Sequence, residues 1–220
     1  MQTTNDLFQP EHTLAWELLE KTVLPYQALD GIHGMILEIG ARLPRDEYEE
    51  VAPHVWIARD AKVCASAFLG EYTVIGHETE VRHCAFIREN ALVGDHCVVG
   101  NSTELKNVIL FDCVQVPHFN YVGDSILGYK SHMGAGAVTS NIKSDGSPII
   151  LKDANGERYE TGRIKIGTML GEYVEVGCNS VLNPGTVIGC HSTVYPTSCV
   201  RGEVPPYTIW KNNGQMIHKH

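Results

Sequence analysis

The chain has 220 residues, a formal net charge of −9 and 43% hydrophobic residues. This size and composition fit one large globular domain, or one domain with a small extension. The acidic balance argues against a nucleic-acid surface, which needs a basic stripe, but it leaves a small anionic substrate open.

No run of 18 apolar residues occurs, so the sequence predicts no membrane span. The first residues lack the basic and apolar regions of a signal peptide. Seven cysteines, an odd number without a CxxC pair, argue against a zinc ribbon or a disulfide framework. We therefore expect a cytoplasmic protein with reduced thiols that serve as small core residues. The eleven histidines contain no HxxxH or HxxxxH pair, and we predict no metal site.

Residues 1–50 are predicted to form a helical segment. Leu14, Leu18 and Leu19 share one helical face after Pro10, together with Trp16 and Val23. A second apolar face follows, loosened by three glycines, and consists of Ile32, Met35, Ile36, Ile39 and Leu43. The segment carries no recognisable chemistry, so a role in packing or in subunit contact is expected.

From Val51 onward an aliphatic residue recurs at every sixth position. The series comprises Val51, Ile57, Val63, Leu69, Ile75, Val81, Ile87, Val93, Val99 and Leu105, and it resumes with Ile164, Leu170, Val176, Leu182, Ile188, Val194 and Val200. This period indicates short strands and tight corners with one inward aliphatic residue per strand, stacked coil upon coil. The sequence thus predicts a mainly β fold, a solenoid over residues 51–203 followed by a tail over residues 204–220.

The six-residue count slips by one residue near Leu110 and again near Leu127. Interruptions of this kind tend to mark functional sites. Residues 142–163 break the repeat altogether, and Asn155-Gly156 between two short runs predicts an inserted hairpin with a type I′ turn. We expect this hairpin to project from the solenoid, and the tail to lie over its open end or on a neighbouring subunit.

The repeat resembles that of the hexapeptide-repeat acyltransferases. A more specific resemblance covers roughly Ile75 to Lys211 and rests on VGNSTELKN, VPHFNYVGDSILG, MGAGAVTSN and the segment from Glu160 to Gly189. These segments are similar to the acetyltransferase domain of bifunctional sugar-1-phosphate nucleotidyltransferases, of the archaeal type. The resemblance implies a single-stranded, left-handed parallel β-helix, usually a homotrimer with sites at subunit interfaces. The roughly 50 residues before the solenoid contain no Gly-rich nucleotide loop, so we expect no uridylyltransferase domain there.

By the same resemblance, the domain would be an acetyl-CoA-dependent N-acetyltransferase acting on a hexosamine 1-phosphate. His118 would be the general base, Glu104 would orient it, and Asn141 would lie near the acceptor sugar. The implied acceptor-binding residues are Arg88, Lys106, Tyr121 and His132. Arg88 and Lys106, one coil apart, would repel each other unless an anion lay between them.

For acetyl-CoA, which enters as a co-substrate, the resemblance implies six residues. They are Ala135, with the backbone N–H groups of its Gly-Ala-Gly turn as oxyanion donors, the groove residues Cys178 and Pro196, and the phosphate-binding candidates Arg163, Lys165 and Lys211. His132 and Ile142 depart from an asparagine and a tyrosine of the bacterial relatives. The acceptor therefore stays open between glucosamine 1-phosphate, galactosamine 1-phosphate and another amino-sugar phosphate.

Two other functions remain possible from the sequence. One is a non-catalytic solenoid, an assembly or regulatory subunit working with a separate nucleotidyltransferase. Four residues at family spacing (Arg88, Lys106, His118 and Asn141) argue against it. The other is a zinc-dependent carbonic anhydrase, which needs three converging histidines that this spacing does not supply.

Overall fold

The computed structural model describes residues 1–219 and shows a β-solenoid whose coils each contribute three short parallel strands. We call the three rows face 1, face 2 and face 3, in the order in which the chain reaches them. Face 1 consists of Val55–Ala58, Thr73–Ile75, Ala91–Val93, Thr168–Leu170, Thr186–Ile188 and Glu203–Val204. Face 2 consists of Lys62–Val63, Glu80–Val81, Val98–Asn101, Gln115–His118, His132–Met133, Glu175–Val176, Thr193–Val194 and Thr208–Trp210. Face 3 consists of Phe68–Leu69, Phe86–Ile87, Val138–Thr139, Val181–Leu182 and Cys199–Val200.

Two longer strands, Glu104–Leu110 and Tyr121–Leu127, run from face 3 into face 1. The predicted solenoid is therefore confirmed. Its core consists of the aliphatic residues that recur at every sixth position, and from Ile75 onward those of the continuous repeat are fully buried.

Two members of the predicted aliphatic series are not core residues. Val51 is 52% exposed because it lies on Tyr48–Ala52, which pairs antiparallel with the first solenoid strand. Ile164 is 51% exposed and follows the inserted hairpin. The prediction that these two side chains point into the core was wrong. Each is the first member of its series, and a six-residue period does not show at which residue the solenoid begins.

The slips in the six-residue count have a local cause. Thr73 pairs with Ala91, eighteen residues on, whereas Glu104 pairs with Tyr121, only seventeen residues on. The missing residue belongs to the corner between face 3 and face 1, where Asn107 and Asp124 adopt φ values of 54° and 48°. Asn and Asp tolerate this left-handed conformation better than most residues, so these two side chains fit the shortened corner.

The N-terminal segment is less helical than predicted. Its helices are α1 (Thr4–Leu7), α2 (Trp16–Leu19) and α3 (Ile32–Arg42), with 3₁₀ turns at Pro10–His12 and Pro25–Gly31. The first predicted helix is wrong in extent: α2 is one turn long, and Leu14 and Val23 are exposed. The second is confirmed as α3, which buries the predicted apolar residues Ile32, Met35, Ile36 and Ile39.

This N-terminal segment packs on face 1 of the solenoid. The outward side chains of face 1 are all 9% exposed or less, namely Trp56, Val74, Leu92, Ile109, Ile126, Met169, Val187 and Glu203. Gly40 allows α3 to approach closely, because a Cβ there would lie 2.4 Å from the Trp56 ring. Each large side chain buried in this way contributes about 1.5–3 kcal/mol, which gives the segment a packing role.

The inserted hairpin is confirmed, with Ile150–Lys152 antiparallel to Arg158–Glu160. The predicted type I′ turn is wrong, because the connection spans residues 153–157 and only Gly156 has a positive φ, of 84°. Asp153 organises the turn through its Oδ1, which accepts the N–H groups of Asn155 and Glu157 at 2.9 and 2.8 Å.

The hairpin was predicted to project from the solenoid, and this prediction was wrong. Ile149 and Leu151 are 1% and 3% exposed, and a Cβ on Gly185 would lie 2.4 Å from the Leu151 side chain. The hairpin therefore lies against the coils that follow it.

The solenoid continues past residue 203. Thr208–Trp210 adds a parallel strand beside Thr193–Val194 and then pairs antiparallel with Met216–His218. Most of the predicted tail thus extends face 2, while His220 lies outside the described residues. Across residues 1–219, no helix combines the length and the apolar character needed to cross a membrane.

Candidate active site

The corner between face 2 and face 3 aligns four of the predicted site residues in one column. Gln115, His132, Glu175 and Thr193 stack by strand register, and the residues three positions further along are His118, Ala135, Cys178 and Pro196. The N–H of Gly136 donates to the His118 carbonyl at 3.0 Å, and that of Asn179 donates to the Ala135 carbonyl at 2.9 Å. The structure therefore brings the candidate base and the candidate pantetheine groove together.

Asn120 holds this corner in place. Its Oδ1 accepts the backbone N–H of His118 at 3.1 Å, and its Nδ2 donates to the carbonyls of Gly134 and Ala137 at 2.9 and 3.0 Å. The side chain is buried, so a loss of these bonds would leave the Ala137 carbonyl without its donor in the interior, whereas the Gly134 carbonyl keeps the Ala137 N–H at 3.1 Å. Asn120 was not among the predicted site residues, although it follows His118 by two residues.

The Gly-Ala-Gly turn offers one backbone N–H to a ligand. Gly134 donates its N–H to the Val176 carbonyl at 2.7 Å, and Gly136 donates to His118. Within residues 1–219 the N–H of Ala135 has no acceptor. A Cβ on Gly134 would lie 2.7 Å from the Cys178 nitrogen, so the glycine is needed for the close approach of the two coils. The predicted oxyanion donor is thereby narrowed to Ala135.

A second polar cluster occupies the shortened corner between face 3 and face 1. Asn107, Asp124 and Asn141 follow one another at seventeen-residue intervals, and both amides donate to the central carboxylate at 3.1 and 2.6 Å. Lys106 Nζ lies 3.1 Å from Asp124 Oδ1. The Asp124 side chain is only 3% exposed. We call these four residues the Asp124 cluster.

Sequence reasoning found Lys106 and Asn141 but missed the carboxylate that holds them. The available signal was the seventeen-residue spacing of Asn107, Asp124 and Asn141, which coincides with the two slips of the repeat.

Tyr121 joins the Asp124 cluster from face 3. Its hydroxyl oxygen accepts from Asn141 Nδ2 at 3.2 Å. Burial, and then the charges of Asp124 and Glu104, raise the pKa of Tyr121 above its ordinary value. The phenol thus stays protonated at neutral pH, and its own O–H is available to donate to an anion.

Arg88 and Lys106 are each paired with a carboxylate of this chain. Arg88 Nη1 lies 3.2 Å from Glu104 Oε1, with both side chains partly exposed, and Lys106 pairs with Asp124. The predicted repulsion between Arg88 and Lys106 is therefore relieved by the carboxylates of Glu104 and Asp124.

The expected orientation of His118 by Glu104 is not seen. Glu104 bonds to Arg88, and the His118 imidazole is exposed and has no hydrogen-bond partner in the described part of the chain.

The remaining predicted residues do not converge. His132 lies on face 2, where its Nδ1 is 2.8 Å from Glu175 Oε2, away from the Asp124 cluster. Arg163 is paired with Asp30 of the N-terminal segment and lowers the pKa of that carboxyl. Lys165 follows Arg163 in the exposed loop that leads back to the solenoid.

Lys211 follows the last strand of face 2, with its Nζ 3.4 Å from Gln215 Oε1. It lies at the end of the His118 column, because the N–H of Tyr195, next to Pro196, donates to the Trp210 carbonyl. Of the three predicted coenzyme cations, Lys211 is the one that adjoins the His118 column.

All seven cysteines are free. Only Cys97 behaves as the expected core residue, since it is fully buried and burial raises the pKa of its thiol. Cys84, Cys178 and Cys199 are exposed, so the prediction of core thiols was wrong for them. Over residues 1–219, no three His, Cys, Asp or Glu side chains are grouped as metal ligands.

The solenoid of six-residue repeats, with its His118 column, is that of a hexapeptide-repeat acyltransferase domain. The chain belongs to the GMPPB C-terminal domain family, whose model matches residues 75–204.

Among curated relatives, the bifunctional sugar-1-phosphate nucleotidylyltransferase/acetyltransferase of Sulfurisphaera tokodaii is 32% identical over 101 residues, 46% of this chain and 25% of the relative. The bifunctional protein GlmU of Methanococcus vannielii is 34% identical over 135 residues, 61% of this chain and 32% of the relative. The chain thus spans about a quarter to a third of the length of these relatives.

A solved structure, the acetyltransferase domain of PglB from Neisseria gonorrhoeae in complex with acetyl coenzyme A, aligns with a TM-score of 0.35 and 17% identity. The alignment covers 87% of this chain and 76% of that domain.

Proposed function

We propose that this domain is a cytoplasmic N-acetyltransferase that moves an acetyl group from acetyl-CoA to the amino group of a hexosamine 1-phosphate. Glucosamine 1-phosphate is the first candidate acceptor. The observation that carries the proposal is the column of His118, Ala135, Cys178 and Pro196. In this column an exposed imidazole is one coil from a backbone N–H that has no acceptor in the described part of the chain. The Sulfurisphaera tokodaii relative is a bifunctional nucleotidylyltransferase/acetyltransferase, which supports the same reaction class.

In the proposed reaction, His118 takes a proton from the ammonium group of the acceptor, and the free amine then attacks the thioester carbon. The negative charge that develops on the thioester oxygen is stabilised by the Ala135 N–H. The C–S bond then breaks, the imidazolium gives its proton to the leaving thiolate, and the amide nitrogen releases its second proton to solvent. The products are the N-acetyl sugar phosphate and free CoA.

The acceptor phosphate is assigned to Arg88, Lys106 and Tyr121. Each cation is already paired with a carboxylate, so phosphate has to share Arg88 with Glu104, and Tyr121 supplies an uncharged O–H donor. Because the His118 imidazole has no orienting partner among residues 1–219 of its own chain, we propose a homotrimer in which a neighbouring copy completes the site.

The alternative is a non-catalytic assembly or regulatory subunit. The pairing of both candidate phosphate cations with Glu104 and Asp124 is the observation that favours it.

A thiol-release assay with acetyl-CoA separates the two functions. The acceptors would be the 1-phosphates of glucosamine and galactosamine, with the 6-phosphates for comparison. We expect CoA release with one 1-phosphate, and a loss of about 10²–10⁴-fold in rate for His118→Ala. His83→Ala, at another exposed position of the same corner, is the control. If the wild-type protein releases no CoA with any acceptor at millimolar concentration, the enzyme hypothesis is wrong.

A further inference from the structure

A cavity of about 500 Å³ lies between the inserted hairpin and the last coils of the solenoid. Its walls come from the first hairpin strand, from the corners around Asn183–Gly185 and Arg201–Glu203, and from the C-terminal residues Trp210 and Met216. Its volume lies within the range of small-molecule sites. None of these residues has a part in the acetyl transfer proposed above.

Four cations line this cavity in a chain whose net charge is −9: Lys143, Lys152, Arg158 and Arg201. Lys152 and Arg158 are direct partners across the antiparallel hairpin, and like charges in that position repel each other. Within residues 1–219 none of the four forms an ion pair. Lys143 Nζ donates to Ser147 Oγ and Arg201 Nη2 donates to Asn183 Oδ1, both uncharged acceptors.

The two carboxylates of the cavity do not neutralise these cations. The side chains of Asp153 and Glu203 are 3% and 5% exposed. Asp153 accepts two backbone N–H groups of the hairpin turn, and Glu203 Oε2 accepts the Ala154 N–H at 2.8 Å. Their charge is directed into the protein, and positive charge predominates on the cavity side.

The remaining wall is apolar and is formed by Ile149, Ile150, Leu151, Pro184, Trp210 and Met216. Inorganic phosphate alone would use the cations and leave this wall exposed. We propose that the cavity binds a nucleoside phosphate, with its phosphates held by the four cations and its nucleoside packed on the apolar wall. Such a group could be a free nucleotide or the nucleotide end of coenzyme A, because both present the same chemistry.

Tryptophan fluorescence provides the test. Trp210 lines the cavity, whereas Trp16 and Trp56 lie in the N-terminal segment and beneath it. In a Trp16→Phe, Trp56→Phe background, ADP, adenosine 3′,5′-bisphosphate, CoA and inorganic phosphate are titrated separately. We expect saturable quenching by at least one nucleotide and at least tenfold weaker binding of phosphate. The double variant Lys152→Met, Arg158→Met should weaken nucleotide binding at least tenfold, whereas Lys62→Met on face 2 should not change it.

The source of the nucleotide is distinguished by acetyl transfer in the same double variant. A raised KM for acetyl-CoA assigns the cavity to the coenzyme, and an unchanged KM with weaker ADP binding assigns it to a free nucleotide. If no nucleotide quenches Trp210 below 5 mM, or if the double variant binds as the wild type does, the inference is wrong. Nucleotide binding without any acetyl transfer would overturn the proposed function but not this inference.

Discussion

Face 1 and face 3 of the solenoid both direct a row of aliphatic side chains into the core, but they differ in their outward side chains. On face 1 the outward row is apolar up to Glu203 in the last coil and lies under the N-terminal segment, with Ile109 and Ile126 fully buried. On face 3 the outward row changes from Phe68 and Phe86 through Glu104 and Tyr121 to small apolar residues, and it stays partly exposed. The inward rows thus specify the coil, whereas the outward rows decide which face is covered and which carries chemistry.

Truncation of one outward side chain on each face tests this difference with the largest expected effect. Ile109→Ala should lower the free energy of unfolding by about 2–5 kcal/mol, because it opens a cavity between the solenoid and the N-terminal segment. Phe86→Ala, at a position that is 43% exposed, should lower it by less than about 1 kcal/mol. Urea unfolding of both variants measures the difference. Equal losses would mean that the N-terminal segment does not cover face 1.

The two ion pairs near the candidate site differ in the same way. Asp124→Ala removes the buried carboxylate that bonds to Lys106 and to two amides. We expect the free energy of unfolding to fall by about 3 kcal/mol. Glu104→Ala breaks a partly exposed pair with Arg88 and should lower stability by less than about 1 kcal/mol. Thermal unfolding measures both losses. A Glu104→Ala loss as large as that of Asp124→Ala would contradict the placement of the Asp124 cluster as the structural centre of its corner.

Asn120 tests whether the His118 column acts as a unit. Asn120→Ala should lower stability by about 1–3 kcal/mol, because it leaves the Ala137 carbonyl without its donor and the Gly134 carbonyl with the Ala137 N–H alone. It should also reduce the rate of acetyl transfer, since it removes the side chain that hydrogen-bonds to both His118 and the Gly-Ala-Gly turn. Asn101→Ala, which removes one exposed bond to the His83 carbonyl at the same corner, is the matched control. Full activity in a folded Asn120→Ala protein would remove Asn120 from the site.

The sequence was sufficient for the solenoid because one aliphatic residue in six is a constraint that every coil repeats. It also indicated where the fold departs from regularity, since the slips near Leu110 and Leu127 come just after the shortened corners at Asn107 and Asp124. It could not show the covered face, because an outward Ile109 and an inward Leu110 are both apolar. Nor could it show that Glu104 bonds to Arg88, because a residue at the end of a strand can reach several neighbours one coil away.

The smallest expected effect concerns the contact that ties the N-terminal segment to the solenoid at the corner between face 1 and face 2. Glu172 Oε1 accepts the N–H of Gln9 at 2.9 Å, and burial raises the pKa of this carboxyl above its ordinary value of 4.5. The native state therefore holds the Glu172 proton up to a higher pH than the unfolded chain does. This group consequently lowers stability as pH rises from 4.5 to the raised pKa and has a constant effect above it.

Glu172→Gln keeps an oxygen acceptor for Gln9 and removes the titration. Relative to the wild type, the variant should gain stability between pH 4.5 and neutrality and should match it more closely below pH 4.5. The difference between the two urea-unfolding curves cancels the titration of His12 and His191, which lie nearby and act on both proteins. A variant whose deficit grows as the pH rises would show that the charged carboxylate stabilises the contact, and that the N-terminal segment is held on face 1 by charge rather than by apolar packing.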